Sequence, residues 1–221
     1  MLLEKANGVS RVTRAWEGQT AVCIASGPSL TKEQCEIARD AGFRIGVTND
    51  SYLMAPSADL CYFADPKWFH WHKDREEFKS FAGQKCSITA NHNAVPDAAV
   101  HVLGNAGAEG VSLDPTKIVT GAHSGYQLLN IVIMSGAKRI LLLGYDCKRG
   151  PDEKKHWFGD HPDKSEPPYT GIRFRYNAVV PVAARLGIDI INCTPGSWIE
   201  CFPTRSLESL LADQASAVLP A

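Results

Sequence analysis

Thr20-Ala21-Val22-Cys23-Ile24-Ala25-Ser26-Gly27-Pro28-Ser29-Leu30, followed by Thr31-Lys32-Glu33-Gln34, is the stretch that decides the fold. An apolar run stops at Ser26-Gly27-Pro28-Ser29, and a helical pattern starts at once. This is a strand that feeds a tight turn into a helix N-terminus. Gly27 has no Cβ and would let a ligand approach the backbone. Thr31 or Ser29 can cap the helix, and Glu33 and Glu36 suit its positive end. Free N–H groups at such an end attract phosphate. The turn matches neither G-x-G-x-x-G nor a Walker A loop.

Working outward, further strand-like runs fall at 44–48, 59–63, 87–90, 100–103, 117–119, 139–144 and 189–192, after the first at 21–25. Several are apolar throughout, as in a sheet covered on both faces. Helical patterns lie between them at 32–41, 66–81, 125–135, 172–186 and 206–215. The alternation predicts an α/β fold: a doubly wound, mostly parallel Rossmann-like sheet with helices on both faces. The segment 147–170 breaks the pattern, being polar, rich in Pro and Gly, and carrying His156, Trp157 and Tyr169. A loop of that length inside a compact domain is often a lid. We therefore expect a single nucleotide-binding domain over 1–221 with a lid insertion at 147–170.

Bulk properties narrow the partners. A formal charge of −1 offers no basic surface for nucleic acid, so a phosphate ligand must be held by local groups. No 18-residue apolar run predicts a membrane span, and the first residues carry no signal-peptide pattern. The cysteines are odd in number, lack CxxC spacing and read as free thiols packed as small apolar residues; a cytoplasmic location fits.

In a doubly wound sheet, ligands bind beyond the carboxyl ends of the strands. Five polar clusters fall there: Ser26 to Ser29, Asn49-Asp50-Ser51, Asp65-Pro66, Gly121 to Gly125, and Tyr145-Asp146. Asn49 suits hydrogen bonds to a base or ribose, or a turn. Asp65 suits a metal or a ribose hydroxyl, or the N-cap of the helix beginning at Pro66. Ser124 and Gly125 can offer N–H groups to a phosphate, or simply begin a helix. Asp146 suits a structural role, orienting the lid. His156 and His161 are the acid/base candidates, because a neutral imidazole takes a hydroxyl proton near neutral pH. His70-Trp71-His72 lacks metal-ligand spacing. Lys148, Arg149, Lys154 and Lys155 would neutralise a leaving group, or balance Asp152 and Glu153 on a solvated loop.

Lined up in order, these pieces resemble the bacterial sialyltransferases that use a cytidine-monophosphate sugar donor. The resemblance rests on Ala25 to Leu30, Val47-Thr48-Asn49-Asp50, Tyr62 to Pro66 and Thr120 to Gly125. It continues through Ser135 to Asp146, His156 to His161 and Ile191 to Ser197, spanning about residues 20 to 205. It implies that Ser26, Gly27, Pro28, Ser29 and Asn49 bind the nucleotide and that Ser124-Gly125 faces the donor sugar. It also implies that a lid histidine, most nearly His161, is the base of an inverting, metal-independent transfer to a glycan or small-molecule acceptor. That family has an asparagine at the place of Asp65. Its phosphate-binding lid tyrosines have no counterparts near Lys148, Arg149 and Lys155, leaving Tyr169. The chain also resembles the archaeal 6-hydroxymethylpterin diphosphokinase-like family, with its own Gly-Pro-Ser turn and Asp-Pro pair. That likeness implies ATP and magnesium, with Asp65 as metal ligand. The expectations are therefore a CMP-sugar glycosyltransferase using no cofactor, a magnesium-dependent diphosphokinase, or a non-catalytic nucleotide- or glycan-binding relative.

Overall fold

The computed structural model describes residues 1–88, 97–162 and 169–218, with 214–218 described by backbone alone. His92, the end of the strand expected at 87–90 and residues 163–168 of the lid lie outside the described residues.

The strands are β1 (Leu3–Ala6), β2 (Val9–Val12), β3 (Thr20–Ile24), β4 (Arg44–Thr48), β5 (Leu60–Tyr62), β6 (Gln84–Ile88), β7 (Val100–Asn105), β8 (Lys117–Ile118), β9 (Arg139–Leu143) and β10 (Asp189–Asn192). The helices are α1 (Lys32–Asp40), α2 (Pro66–His72), α3 (Glu76–Lys79), α4 (Ser124–Met134), α5 (Tyr169–Arg175), α6 (Val180–Leu186) and α7 (Leu207–Val218). A parallel sheet of eight strands runs in the order β10-β9-β3-β4-β5-β6-β7-β8. The doubly wound α/β fold read from the sequence is therefore the fold of the protein.

The strand order places the site. From β3 the chain steps strand by strand to β8 at one edge, then crosses back to place β9 on the other side of β3. The order reverses between β3 and β9, and a crevice opens there beyond the carboxyl ends of the strands. The sheet is buried on both faces. One core packs α4 residues such as Leu128, Ile131 and Val132 against Ala21, Cys23, Ile140 and Leu142. The other packs α1 and α2 against Val22, Ile24, Val47 and Leu141. Every α4 residue from Gly125 to Met134 is buried, so its apolar all-round sequence is that of a core helix. On the opposite face Tyr52, Phe63, Trp68 and Phe78 meet with ring centroids 5.0–6.0 Å apart. Truncating one such ring costs about 3–5 kcal/mol.

Three elements differ from expectation. An antiparallel hairpin, β1-β2, precedes the first expected strand. Its signal was Asn7-Gly8, whose φ angles of 52° and 78° make the primed turn that a two-residue hairpin needs. The helix expected at 66–81 is broken at Lys73–Arg75, which lets Phe78 turn back into the aromatic cluster. The helix expected at 172–186 starts at Tyr169 and is interrupted after Arg175; α6 restarts with Pro181 in its first turn, where a missing N–H costs nothing.

Candidate active site

The crevice between β3 and β9 is a narrow cleft of about 100 Å³. Its lining comes from the ends of β3 (Ser26, Gly27), β4 (Thr48, Asn49) and β9 (Tyr145, Asp146), from the start of α4, and from the lid. Of the residues selected from the sequence it gathers Ser26, Gly27, Asn49, Ser124, Gly125, Lys148, His156 and Tyr169. Pro28, Ser29, Asp65, Arg149 and His161 do not line it.

The turn after β3 is closed on itself. Gly27 N–H donates to the Gly144 carbonyl at 2.9 Å, Ser29 N–H to Asp146 Oδ1 at 3.2 Å and Leu30 N–H to the Gly27 carbonyl at 3.1 Å. Ser29 Oγ donates to Asp146 Oδ2 at 2.9 Å. A Cβ on Gly27 would lie 1.9 Å from Asp146 Oδ2 and 2.4 Å from the Gly144 oxygen. The space that glycine provides is thus filled by the protein's own carboxylate. Burial pushes the Asp146 carboxyl above its usual range, against the opposing pull of the Ser29 hydrogen bonds. Thr31 caps α1 with Gln34 in a reciprocal capping box.

The start of α4 is built the other way. His123 is its N-cap residue but makes no capping hydrogen bond. No acceptor within the described residues takes the N–H of Ser124 or Gly125, and both residues border the cleft. Tyr145 fixes this end by donating its OH to the Gly125 carbonyl at 2.9 Å. The helix therefore presents unspent donors and the positive end of its dipole to the cleft. Asn49 faces the same space with its Oδ1 buried and unpartnered. Its φ of 49° is left-handed, as are those of Ala122 at 56° and Cys147 at 50°. Asn49 and Cys147 line the cleft and Ala122 directly precedes its residue His123, and such left-handed residues cluster where folds tolerate strain for function.

The segment expected as a lid is tied to the turn after β3. Trp157 N–H donates to the Ser26 carbonyl at 3.1 Å, and a tight turn joins His156 and Gly159. His156 lines the cleft, and its ring lies 4.7 Å from that of His161, which stands beside exposed Trp71. Burial, with His161 and His123 nearby, pushes His156 down to about 4. Lys155, only 4% exposed, reaches the cleft and pairs with Asp160 at 3.8 Å. Arg149 instead turns onto its own loop, donating to the Glu153 carbonyl at 2.7 Å. Asp65 is exposed and caps α2 through Lys67 N–H at 2.8 Å, the second of the two roles its position allowed. Among the described residues no three His, Cys, Asp or Glu side chains gather as metal ligands.

Three groups that the cleft region contains are read in the sequence only as members of a cluster or a charge run, with no role of their own. His123 sits at the head of α4, donating to or accepting from Tyr176 OH at 3.2 Å, and burial pushes it down to about 4. Lys155 stood in a charge run with no sign of which member would be buried. Asp50 lies under the lid, holding Trp68 Nε1 at 2.7 Å and His72 Nε2 at 3.3 Å. Burial opposes ionisation of Asp50, but the bonds from His72 and Trp68 outweigh it and hold the carboxyl below its usual range.

Among the described residues no helix is long and apolar enough to cross a membrane. No family model matches the chain, and no curated protein matches it either. Among solved structures the chain is similar to the sialyltransferase CstII from Campylobacter jejuni, determined in complex with the substrate analogue cytidine-5′-monophosphate. The TM-score is 0.53 at 13% identity, and the match covers 86% of each chain. At that identity the similarity establishes a shared fold.

Proposed function

We propose that the protein is a glycosyltransferase that takes a sugar from a cytidine-monophosphate donor and passes it to a hydroxyl acceptor. The observation that carries this reading is the open start of α4 opposite the unpartnered Asn49 Oδ1, in a cleft at the reversal point of the sheet. The fold shared with a structure determined with cytidine-5′-monophosphate supports the choice of nucleotide.

In this reading Asn49 hydrogen-bonds the nucleoside, and Ser26 and Gly27 form the wall beside it. The donor phosphate sits on the N–H groups of Ser124 and Gly125, with Lys155 and Lys148 adding positive charge. Transfer forms a bond between the acceptor oxygen and the anomeric carbon. It breaks the bond from that carbon to the phosphate oxygen, and the pair of electrons leaves with cytidine monophosphate. The acceptor proton goes to the lid imidazoles. His156, held near 4, is a weak base at neutral pH; His161, half-buried at the outer side of the pair, takes the proton, and His156 orients it. Charge on the leaving group is met by lysines and helix N–H groups, so transfer needs no divalent cation. Nucleotide-sized pockets are about 300 Å³ or more, so the lid must lift from Ser26 to admit the donor.

Thermal shift tests the reading directly, because a ligand that binds only the native state raises its stability. Cytidine monophosphate should raise the melting temperature with or without EDTA, and His161→Ala should abolish transfer while keeping that shift. Stabilisation by ATP plus magnesium alone would overturn the reading. A shift by cytidine monophosphate with no transfer to any acceptor would leave a nucleotide-binding protein without catalysis.

A further inference from the structure

His123 occupies the N-cap of α4, where a side chain ordinarily accepts a hydrogen bond from the first turn. Its own carbonyl takes a helical bond from Gln127 N–H at 3.2 Å, but its imidazole caps nothing. The ring lies against the first turn instead. A Cβ on Gly125 would stand 2.8 Å from His123 Cε1 and 3.0 Å from Nδ1, so the missing side chain is what lets the imidazole sit beside the free N–H groups.

Tyr176 decides which ring nitrogen carries the proton. Its hydroxyl lies 3.2 Å from His123 Nδ1, its one hydrogen-bond partner among the described residues, and Tyr176 is fully buried. If Nδ1–H donated to the phenol, the phenol's own proton would be buried with no acceptor. The phenol therefore donates, Nδ1 accepts, and the ring proton sits on Nε2. Burial holds the phenol protonated, far above its usual range, and keeps His123 uncharged at neutral pH. Nε2 makes no hydrogen bond among the described residues, yet it is not sealed inside the protein: His123 is partly exposed and borders the cleft. Asp146, the carboxylate that lines the cleft, is already taken by Ser29, and Lys148 and Lys155 bring no acceptor, so the donor is left for a ligand. A neutral imidazole at a helix N-terminus acts as an electrophile that donates a hydrogen bond, not as a base.

We propose that His123, its tautomer fixed by Tyr176, donates Nε2–H to a phosphate oxygen of the ligand, as a third donor beside Ser124 N–H and Gly125 N–H. A hydrogen bond to oxygen strengthens as charge gathers there, so the same contact favours departure of the nucleotide. His123 keeps its proton throughout and forms no covalent bond; Tyr176 is a positioning residue. The part in departure rests on the transferase reading; the phosphate contact does not. The test uses the full-length protein with nitrogen-labelled histidines. Long-range proton–nitrogen NMR at neutral pH should show His123 protonated at Nε2 and bare at Nδ1, and inorganic phosphate or cytidine monophosphate should move the Nε2 signal. In calorimetry His123→Phe should lose about tenfold in affinity for cytidine monophosphate. His123→Gln, whose amide can place an N–H where Nε2 stands, should stay within about twofold. Cytidine, which lacks the phosphate, should bind all three proteins alike. Tyr176→Phe should mix the tautomers and weaken cytidine monophosphate about threefold. If His123→Phe does not fold, the tautomer, the phosphate response and Tyr176→Phe decide. A proton on Nδ1, cytidine monophosphate affinity unchanged in His123→Phe, or cytidine weakened as much as its monophosphate would overturn the inference. Cytidine monophosphate that fails to bind the wild type while phosphate still moves the Nε2 signal would sink the transferase reading and leave the phosphate contact standing.

Discussion

Two turns face each other across the cleft, and they have been finished in opposite ways. After β3, the Gly-Pro-Ser turn spends its Gly27, Ser29 and Leu30 N–H groups within the protein and fills the hollow at Gly27 with Asp146. At the start of α4, the N–H groups of Ser124 and Gly125 stay unspent, and the N-cap residue His123 contributes no capping bond. Both are tight turns into helices containing Gly and Ser. One is a structural joint that also holds the lid through Trp157; the other is the surface on which an anion can land. Ser and Gly near a helix start therefore do not by themselves define a phosphate site; what matters is whether the donors are already taken.

The contrast can be broken most severely at Gly27. Gly27→Ala drives a methyl group into Asp146 Oδ2 and the Gly144 carbonyl, and should destabilise the protein by roughly 3 kcal/mol or more, read as a lower urea midpoint. A midpoint near wild type would mean that the turn is not closed as described. Acid attacks the other side next. His123 and His156 are held neutral down to about 4, whereas an unfolded chain binds those protons near 6.5. The unfolded state then binds more protons below about 6.5, so stability should fall as pH drops from there toward 4, by on the order of 2 kcal/mol. Urea melts at a series of pH values check this, and the slope should flatten in His156→Gln.

A backbone edit sharpens the comparison without a large change in stability. Ser124 is the first residue of α4, where proline is tolerated, and His123 is extended, as a residue before proline prefers to be. Ser124→Pro removes one unspent N–H and should weaken cytidine monophosphate about tenfold in calorimetry. Ser29→Ala, in the closed turn, should leave that affinity within about twofold. Equal losses would show that the two turns share the ligand. The smallest effect is expected from Ala122→Gly, which relieves a left-handed alanine at the open turn. It should raise the unfolding free energy by up to about 1 kcal/mol.

The alternation of apolar runs with helical patterns made the parallel sheet legible, because strands buried on both faces must be apolar throughout. The polar residues at strand ends were legible for the same reason: they are where such a strand stops. Thr31 as the cap of α1 and Asp65 before Pro66 could be read locally, since a cap bonds within its own first turn. Lys155 could not be told from its neighbours Lys148, Arg149 and Lys154, because only the folded lid buries one of them. His123 gave no signal, since its weight comes from Tyr176, far along the chain. The approach of Arg173 to the Trp198 ring, 5.3 Å, was equally silent, since Trp198 comes from a different loop.

The sequence by itself determined the class of the fold, the layering of its core and the ring of loops on which a ligand could sit. These follow from periodicity and local hydrogen bonding, which act over a few residues. Only the tertiary structure decided that Asp146 occupies the hollow of the Gly-Pro-Ser turn, that α4 keeps its donors open, and that His156 rather than His161 lines the cleft. Those outcomes depend on which donors meet which acceptors across more than a hundred residues of chain, and that pairing exists only once β9 has returned to lie beside β3.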